Sequence, residues 1–110
     1  LRRVADILEQ VARRSDVVAR IGGEEFGIIL PETDARGATV LAERFRAAIE
    51  AARWPRRAIT ASLGAMTADF GQPVPRPQAP ALSDLLEEAD RARYRSKAAG
   101  RNRVTHASEP

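Results

Sequence analysis

Residues 17–30, Val-Val-Ala-Arg-Ile-Gly-Gly-Glu-Glu-Phe-Gly-Ile-Ile-Leu, decide the fold of this chain. Residues 17–21 and 26–30 favour β-strand, because valine, isoleucine and phenylalanine suit a pleated, half-buried surface. Between these runs lie residues that favour a tight turn, namely Gly22, Gly23, Glu24 and Glu25. Pro31 follows and ends the second strand. The stretch therefore predicts a β-hairpin whose glycine turn carries two carboxylates.

Apolar residues recur at helical spacing on both sides of the hairpin. Residues 1–14 predict an amphipathic helix with inward side chains at Leu1, Val4, Leu8 and Val11, together with Ala5 and Ala12. Thr33 or Asp34 is expected to cap a second helix, which Trp54 and Pro55 end. The buried stripe of this second helix is predicted to be Ala38, Leu41, Phe45, Ala48 and Ile49.

The second half of the chain predicts one more helix between two strands. Ser83 is a suitable N-cap for it, and Gly100 a suitable residue just past its end. The side chains expected to face inward are Leu82, Leu85, Leu86, Ala89 and Ala92. Strands are predicted at residues 59–66 and 102–105, and a loop at residues 69–80, which hold four of the seven prolines. The order of elements indicates an α/β (α+β) domain with an antiparallel hairpin inside its sheet.

The composition is that of one soluble globular domain, with 110 residues of which 44% are hydrophobic and 30% charged. There is no cysteine and a single histidine, His106, which sets aside disulfide frameworks, thiolate zinc sites, cysteine nucleophiles and histidine triads. The apolar runs are too short to span a bilayer, and the N-terminus does not resemble a signal peptide. We therefore expect a cytoplasmic segment of a longer protein, which an upstream segment could anchor in a membrane.

Eighteen basic and fifteen acidic residues give a net charge of +3, which suits a polyanionic partner. Nucleic acid is excluded, because acidic residues interleave most of the arginines and no basic stripe or stacking platform is present. The aromatic residues mostly occupy predicted core positions; they are Phe26, Phe45, Trp54, Phe70 and Tyr94.

The glycine turn could carry chemistry, because Gly22 and Gly23 keep bulk away while a carboxylate of Glu24 or Glu25 holds Mg²⁺ beside a phosphate. The alternative is an exposed acidic turn. Lys97 and Arg101 lie four residues apart at the end of a helix, where two cations could hold the distal phosphates of a triphosphate or simply offset the helix dipole.

The segment Arg20-Ile21-Gly22-Gly23-Glu24-Glu25-Phe26 resembles the signature of the GGDEF family, the diguanylate cyclases, in its glutamate form. Further segments resemble the same family in the same order: Thr60-Ala61-Ser62-Leu63-Gly64, then Ala89-Asp90, Tyr94 and Lys97, then Gly100-Arg101-Asn102-Arg103-Val104. The resemblance covers residues 1–106, predicted to be the C-terminal part of one such domain, with residues 107–110 as a tail. It implies a ferredoxin-like fold, the palm of nucleotidyl cyclases, in which helices flank an antiparallel sheet.

The resemblance also implies an activity, the condensation of two GTP molecules into cyclic di-GMP and two pyrophosphates across a homodimer. Glu24 would be the metal ligand and catalytic residue, and Glu25 would support it. Gly22, Gly23, Lys97 and Arg101 would bind substrate, with Mg²⁺ as the cofactor and Mn²⁺ as an alternative. Tyr94, Asp90 and Asn102 are interpreted as packing and capping residues.

An inhibitory site for the product is implied by Arg13 and Asp16, an R-x-x-D pair in which Asp16 lies six positions before Gly22. Arg44 matches a further arginine of that site. The alternatives are a helix-end ion pair for Arg13 with Asp16 and a solvated position for Arg44.

The sequence departs from the family at its N-terminus, because it begins after the family's first strand, which carries an aspartate metal ligand, and after the residues that recognise guanine. We therefore expect an N-terminally truncated domain, inactive by itself, whose hairpin and residue-59 strand lack the strand that joins them. An upstream sensor or regulatory domain is expected as well. The second hypothesis is a noncatalytic module that binds cyclic di-GMP or GTP and signals to a partner.

Overall fold

A computed structural model describes residues 2–68 and 82–110 of the chain. The helices are α1 (Arg2–Val11), α2 (Ala35–Ala51) and α3 (Leu82–Ala98). The strands are β1 (Val17–Gly22), β2 (Glu25–Ile29), β3 (Ser62–Ala65) and β4 (Arg103–His106). The order of elements confirms the α+β prediction. Leu1 and the loop predicted at residues 69–80 lie outside the described residues.

The described strands form two separate pairs. β1 and β2 are antiparallel, with Val17 opposite Ile29 and Gly22 opposite Glu25, as the hairpin prediction requires. β3 and β4 are parallel, with Ser62 opposite Arg103, so the antiparallel arrangement does not extend to this pair. The reason is α3, which carries the chain back to the start of the pair, as parallel neighbours require. No ladder joins the two pairs within residues 2–68 and 82–110.

The core lies where α1 and α2 meet one face of the hairpin. Its fully buried side chains are Leu8, Leu41, Phe45 and Ile49, and Phe45 is only 1% exposed. Val18, Phe26 and Ile28 of the hairpin pack against this cluster. The opposite face of the hairpin is exposed at Val17, Ile21 and Ile29. The hairpin is therefore held from one side only within the described part of the chain.

The ends of α1 and α2 are set by local hydrogen bonds. α1 ends at Val11 rather than near residue 14, because the Asp16 carboxylate accepts from the Arg13 backbone N–H at 2.7 Å and holds a turn there. Asp34 is the N-cap of α2, as predicted, and its side chain accepts from the Gly37 N–H at 2.8 Å. The buried stripe of α2 includes Ala42 and leaves Ala48 half-buried, contrary to the prediction.

α3 packs very closely on β3 at Gly64. A Cβ at Gly64 would overlap the Ala89 carbonyl oxygen and the Arg93 backbone nitrogen. Beside this contact Ala92 is buried, and the Ser96 hydroxyl donates to the Leu63 carbonyl at 2.7 Å and lies 2.8 Å from the Thr105 hydroxyl. Gly64 and Ser96 therefore tie β3, α3 and β4 into one unit.

Some predictions for this unit are wrong. Ser83 lies inside the first turn of α3, which begins at Leu82, and is not its N-cap. Leu86 is 43% exposed and Tyr94 65% exposed, although both were expected to be inward or packed. α3 meets β3 at Ala89, Ala92 and Arg93, so Leu86 precedes this contact in the helix. Residues 59–61 lie outside β3, since β4 offers only four partners.

Candidate phosphate and metal site at the hairpin turn

The hairpin turn has a defined backbone. A bulge lies between Arg20 and Gly22, and Gly23 has a φ of +38°, a left-handed value that favours glycine. The Arg20 guanidinium donates to the Gly23 carbonyl from Nε at 3.0 Å and from Nη2 at 2.6 Å. Sequence reasoning gave Arg20 no role, although it stands inside the signature. The arginine fixes the turn that presents Glu24.

The turn is open to a ligand. Among the described residues other than the immediate chain neighbours, no heavy atom lies within 4 Å of the position that a Cβ would take at Gly22 or at Gly23, so an anion can approach the backbone there. Glu24 and Glu25 are exposed. Carboxylate oxygens are the ligands that Mg²⁺ and Mn²⁺ prefer, and Mg²⁺ commonly takes its remaining ligands from water and substrate phosphates. The turn therefore fits one side of a metal site.

The described residues hold no cluster of three or more His, Cys, Asp or Glu side chains arranged to bind a metal ion. Glu24 and Glu25 are thus the donors that this part of the chain offers next to the open turn. Such a donor set suits an ion that a triphosphate brings with it, since the phosphates supply further oxygens.

Glu25 is joined to α3 by an ion pair that sequence reasoning missed. The Arg93 Nη2 lies 3.2 Å from the Glu25 Oε1 and 2.6 Å from the Asp90 Oδ1. The guanidinium carbon is also 5.5 Å from the centre of the Tyr94 ring. The one sequence signal for Arg93 is its spacing. Arg93, Lys97 and Arg101 follow one another at intervals of four residues, which places neighbouring members on the same face of a helix. The pair joins the acidic turn to the basic C-terminal half of α3.

Lys97 lies in the last turn of α3, one turn beyond Arg93, and its side chain is exposed. Gly100 has a φ of +122°, as predicted for a residue that ends a helix, and Arg101 follows with an exposed side chain. Neither the Lys97 nor the Arg101 side chain forms an ion pair with another described residue. Both cations are therefore available to an anionic ligand from solvent.

Arg13 and Asp16 form a close pair at the base of the hairpin. The Arg13 Nη2 and Nε lie 2.8 Å and 3.1 Å from the Asp16 Oδ1, and Nη2 also donates to the Thr33 hydroxyl at 2.8 Å. The Asp16 side chain is fully buried, whereas that of Arg13 is 42% exposed. Hydrogen bonds from the Arg13 side chain hold the pKa of Asp16 below its ordinary value. Asp16 is thus ionised and fixes the orientation of the Arg13 guanidinium.

Arg44 is exposed on α2, and no hydrogen bond joins it to Arg13 or Asp16 among the described residues. The arginine that α2 does fix is Arg46, whose side chain is 15% exposed. It pairs with Glu43 at 2.5 Å and with Glu50 at 3.1 Å. Hydrogen bonds from Arg46 hold the pKa of Glu43 below its ordinary range. Sequence reasoning did not single out this network.

Asn102 joins the Arg46 network from the turn after α3. Its Oδ1 accepts from the Arg46 Nη1 at 2.8 Å, and its Nδ2 donates to the Glu50 Oε2 at 2.5 Å. The bond from Asn102, followed by that from Arg46, holds the pKa of Glu50 below its ordinary range. Asn102 thus joins the turn after α3 to α2.

These features define an α+β domain in which an open, acidic glycine turn adjoins the basic C-terminal half of a helix. A family model described as "Diguanylate cyclase, GGDEF domain" matches residues 1–103. Diguanylate cyclase A of Treponema denticola is 36% identical over 109 residues, which cover 96% of this chain and 28% of that protein. The chain belongs to the GGDEF family of diguanylate cyclases.

Solved structures agree with this assignment. The GGDEF domain of DgcB from Caulobacter crescentus, in complex with c-di-GMP, superposes with a TM-score of 0.82 at 34% identity, over 98% of this chain and 63% of that one. Diguanylate cyclase SiaD from Pseudomonas aeruginosa, in complex with its activator SiaC, gives 0.75 at 29% identity, over 94% of this chain and 38% of that one. The chain thus spans less than a third of the curated relative and under two thirds of either solved chain. Among the described residues, no helix is long and apolar enough to cross a membrane.

Proposed function

We propose that this chain is part of the catalytic domain of a diguanylate cyclase, which joins two GTP molecules into cyclic di-GMP. The observation that carries the proposal is the Arg93–Glu25 ion pair, since it sets the open glycine turn beside the helix that bears Lys97. Carboxylates for a metal ion and cations for phosphates thus share one surface. This combination suits phosphoryl-type transfer, which depends on positioning and on charge stabilisation.

In the proposed reaction each 3′-hydroxyl oxygen forms a bond to the α-phosphorus of the other nucleotide. The bond from that phosphorus to the pyrophosphate oxygen breaks, the hydroxyl proton leaves, and pyrophosphate departs. Because each nucleotide is both nucleophile and electrophile, two domains must face one another in a homodimer. Glu24, with support from Glu25, would hold Mg²⁺ or Mn²⁺, which when bound neutralises charge on the reacting phosphate oxygens.

The chain's own residues have separate tasks in this scheme. Gly22 and Gly23 leave room for a phosphate against the turn backbone, and Arg20 holds that backbone in place. Glu24, free at the turn, is the candidate for assisting the loss of the hydroxyl proton. Lys97 and Arg101 hold the distal phosphates through charge-assisted hydrogen bonds, which are stronger than neutral ones.

The test is the conversion of GTP with Mg²⁺ by the protein as its gene encodes it, with cyclic di-GMP and pyrophosphate quantified by chromatography. Glu24→Gln should lower the rate about 100-fold or more, because it removes a charge at the reacting phosphates. The matched control is Glu32→Gln, an exposed glutamate beyond the hairpin, which should retain the parent rate. Near-parent turnover of Glu24→Gln would contradict the assigned site.

We further propose that Arg13, Asp16 and Arg44 bind the product, cyclic di-GMP, and inhibit the enzyme. Arg13 is suited to this role because Asp16 orients it while 42% of its side chain stays exposed to a ligand. Arg13→Ala should weaken cyclic di-GMP binding about tenfold or more, since a charge-assisted hydrogen bond contributes roughly 1.5–3 kcal/mol. Calorimetry with cyclic di-GMP and no GTP measures this, and equal affinities would reduce the pair to a structural contact.

The second candidate is a noncatalytic module that senses cyclic di-GMP through the same residues and signals to a partner. The preformed Arg13–Asp16 pair favours it, because that pair needs no chemistry at the turn to bind a ligand. Cyclic di-GMP binding without product formation from GTP would support the module over the enzyme. In either case we propose a cytoplasmic location and control by an upstream sensor or an activator protein.

A further inference from the structure

We infer that Asn102, tied to α2 through Glu50 and Arg46, is a positioning residue that fixes Arg101 for phosphate binding. The inference rests on the proposed function, in which Arg101 contacts the distal phosphates of GTP. In this inference Asn102 sets the geometry of the contact between Arg101 and the phosphates. The supporting observations are the backbone conformation of the turn after α3 and the hydrogen bonds that hold this backbone.

The turn has an unusual backbone, because three consecutive residues have positive φ. The values are 122° at Gly100, 63° at Arg101 and 46° at Asn102. The left-handed region is disfavoured for residues with a Cβ, although asparagine tolerates it better than most. Such a conformation persists at Arg101 only where neighbouring groups hold it in place.

Two backbone-directed bonds hold Arg101 from its own side of the turn. Its N–H donates to the Ser96 carbonyl at 2.9 Å, and its carbonyl accepts from the Arg103 Nε at 3.1 Å. Ser96 is itself fully buried and bonded to both β3 and β4. The backbone of Arg101 is therefore anchored to the β3–α3–β4 unit, while its side chain stays exposed.

Asn102 fixes the other side of the turn through hydrogen bonds to α2. Both polar atoms of its side chain bond to α2, one to Arg46 at 2.8 Å and the other to Glu50 at 2.5 Å. Arg46 and Glu50 also pair with each other at 3.1 Å, so the three side chains form a closed triangle. α2 is a rigid support, since Phe45 and Ile49 beside these residues are buried in the core.

Through these hydrogen bonds α2 fixes the position of Asn102, the residue that follows Arg101. A cation whose backbone is already fixed loses less freedom when it binds an anion, and the affinity rises accordingly. The triangle does not touch the phosphate in this scheme and acts only through the conformation of residue 101. Its loss should therefore reduce phosphate affinity even in a protein that remains folded.

The experiment measures the binding of inorganic tripolyphosphate, which probes the distal phosphate contacts without the guanine. Calorimetry at low salt, well below the thermal unfolding midpoint, compares the parent protein with single variants. Arg101→Ala should bind about tenfold more weakly, because one charge-assisted contact is lost. Asn102→Gly, which permits the positive φ but lacks the amide, should bind about threefold to fivefold more weakly.

Variants of Glu50 provide a second, independent test in the same binding experiment. Glu50→Ala removes the acceptor of the Asn102 amide and should weaken binding as Asn102→Gly does. Glu50→Gln keeps an acceptor oxygen and should restore most of the affinity. Glu87→Ala is the charge-matched control, since it removes an equal charge from an exposed pair with Arg91 and should bind no more weakly than the parent.

The outcomes distinguish the positioning role of Asn102 from the phosphate-binding role of Arg101. Parent affinity in both folded variants, Asn102→Gly and Glu50→Ala, together with weak binding by Arg101→Ala, would overturn the positioning role and leave the proposed function standing. Parent affinity in Arg101→Ala would overturn the phosphate role of Arg101 and the inference with it. Weak binding by all three variants, with retention by Glu50→Gln, supports the inference.

Discussion

The hairpin and the β3–α3–β4 unit each contain two strands, but the molecule holds them in opposite ways. The hairpin packs one face on α1 and α2 and leaves Val17, Ile21 and Ile29 exposed on the other. The second pair lies against both α2 and α3, with Gly64 in contact with the α3 backbone and Ser96 completely buried. The carboxylates proposed for chemistry are thus on the loosely covered element, and the cations proposed to bind phosphates, Lys97 and Arg101, are in the tightly packed one.

This contrast makes a prediction about what each region tolerates. Substitutions in the β3–α3–β4 unit should act mainly on stability, because its contacts are close and its polar groups buried. Substitutions at the hairpin turn should act mainly on function, since its side chains contact few others.

Gly64→Ala should have the largest effect, an unfolding free energy lower by several kcal/mol. Its Cβ would overlap backbone atoms of Ala89 and Arg93, which cannot rotate away as a flexible side chain could. Thermal denaturation followed by circular dichroism measures the loss. Gly22→Ala is the matched control and should melt near the parent midpoint, because no heavy atom of the described residues beyond its chain neighbours lies within 4 Å of its Cβ position. Similar losses in both variants would contradict the contrast between the regions.

Ser96→Ala should lower the unfolding free energy by about 1–2 kcal/mol, because the Thr105 hydroxyl and the Leu63 carbonyl lose a buried partner. Chemical denaturation gives the value. Ser15→Ala removes the same hydroxyl from an exposed position beside the hairpin and should change stability little. An unchanged Ser96→Ala protein would mean that a water molecule or a rearrangement replaces the hydroxyl.

The sequence predicted the hairpin well and the β3–α3–β4 unit less well, and the same contrast explains why. The local sequence of residues 17–30 is enough to predict the hairpin, since its glycines favour the turn and its β-branched residues favour the strands. Asp34 was likewise predictable as a cap, because capping depends on residues three positions apart. The exposure of Leu86 and Tyr94 depends on where α3 meets β3, which the periodicity of α3 does not encode.

The candidate site divides in the same way. Gly22, Gly23, Glu24 and Glu25 were recognised because they are adjacent in sequence. The Arg93–Glu25 pair spans 68 residues and the Asn102–Glu50 contact 52, so only a three-dimensional arrangement shows them. Local spacing identified the groups that could meet ligands, and it missed the residues that hold those groups in place.

Arg93→Leu should separate the two regions with little loss of stability, at most about 1 kcal/mol, because the ion pair with Glu25 is partly exposed. We expect faster hydrogen exchange at the amides of the hairpin turn, since the turn loses its tie to α3, and unchanged exchange in β3 and β4. Arg91→Leu is the control, because Arg91 pairs only with Glu87 on its own helix among the described residues. Uniform acceleration in both sheets would argue that Arg93 stabilises the whole fold.

The smallest effect concerns pH and the base of the hairpin. Arg13 keeps the pKa of Asp16 in the folded protein below its ordinary value of 3.8. The pair therefore stabilises the fold at pH above 3.8, and this contribution is lost as the pH falls through the lowered pKa of the folded state. Asp16→Asn should be less stable than the parent near pH 7, and the difference should shrink in acid. Asp6→Asn, an exposed carboxylate on α1 outside any ion pair in the described part of the chain, should show no such convergence. A parent–variant difference that stays constant from pH 7 to well below 3.8 would show that Asp16 contributes through packing rather than through its charge.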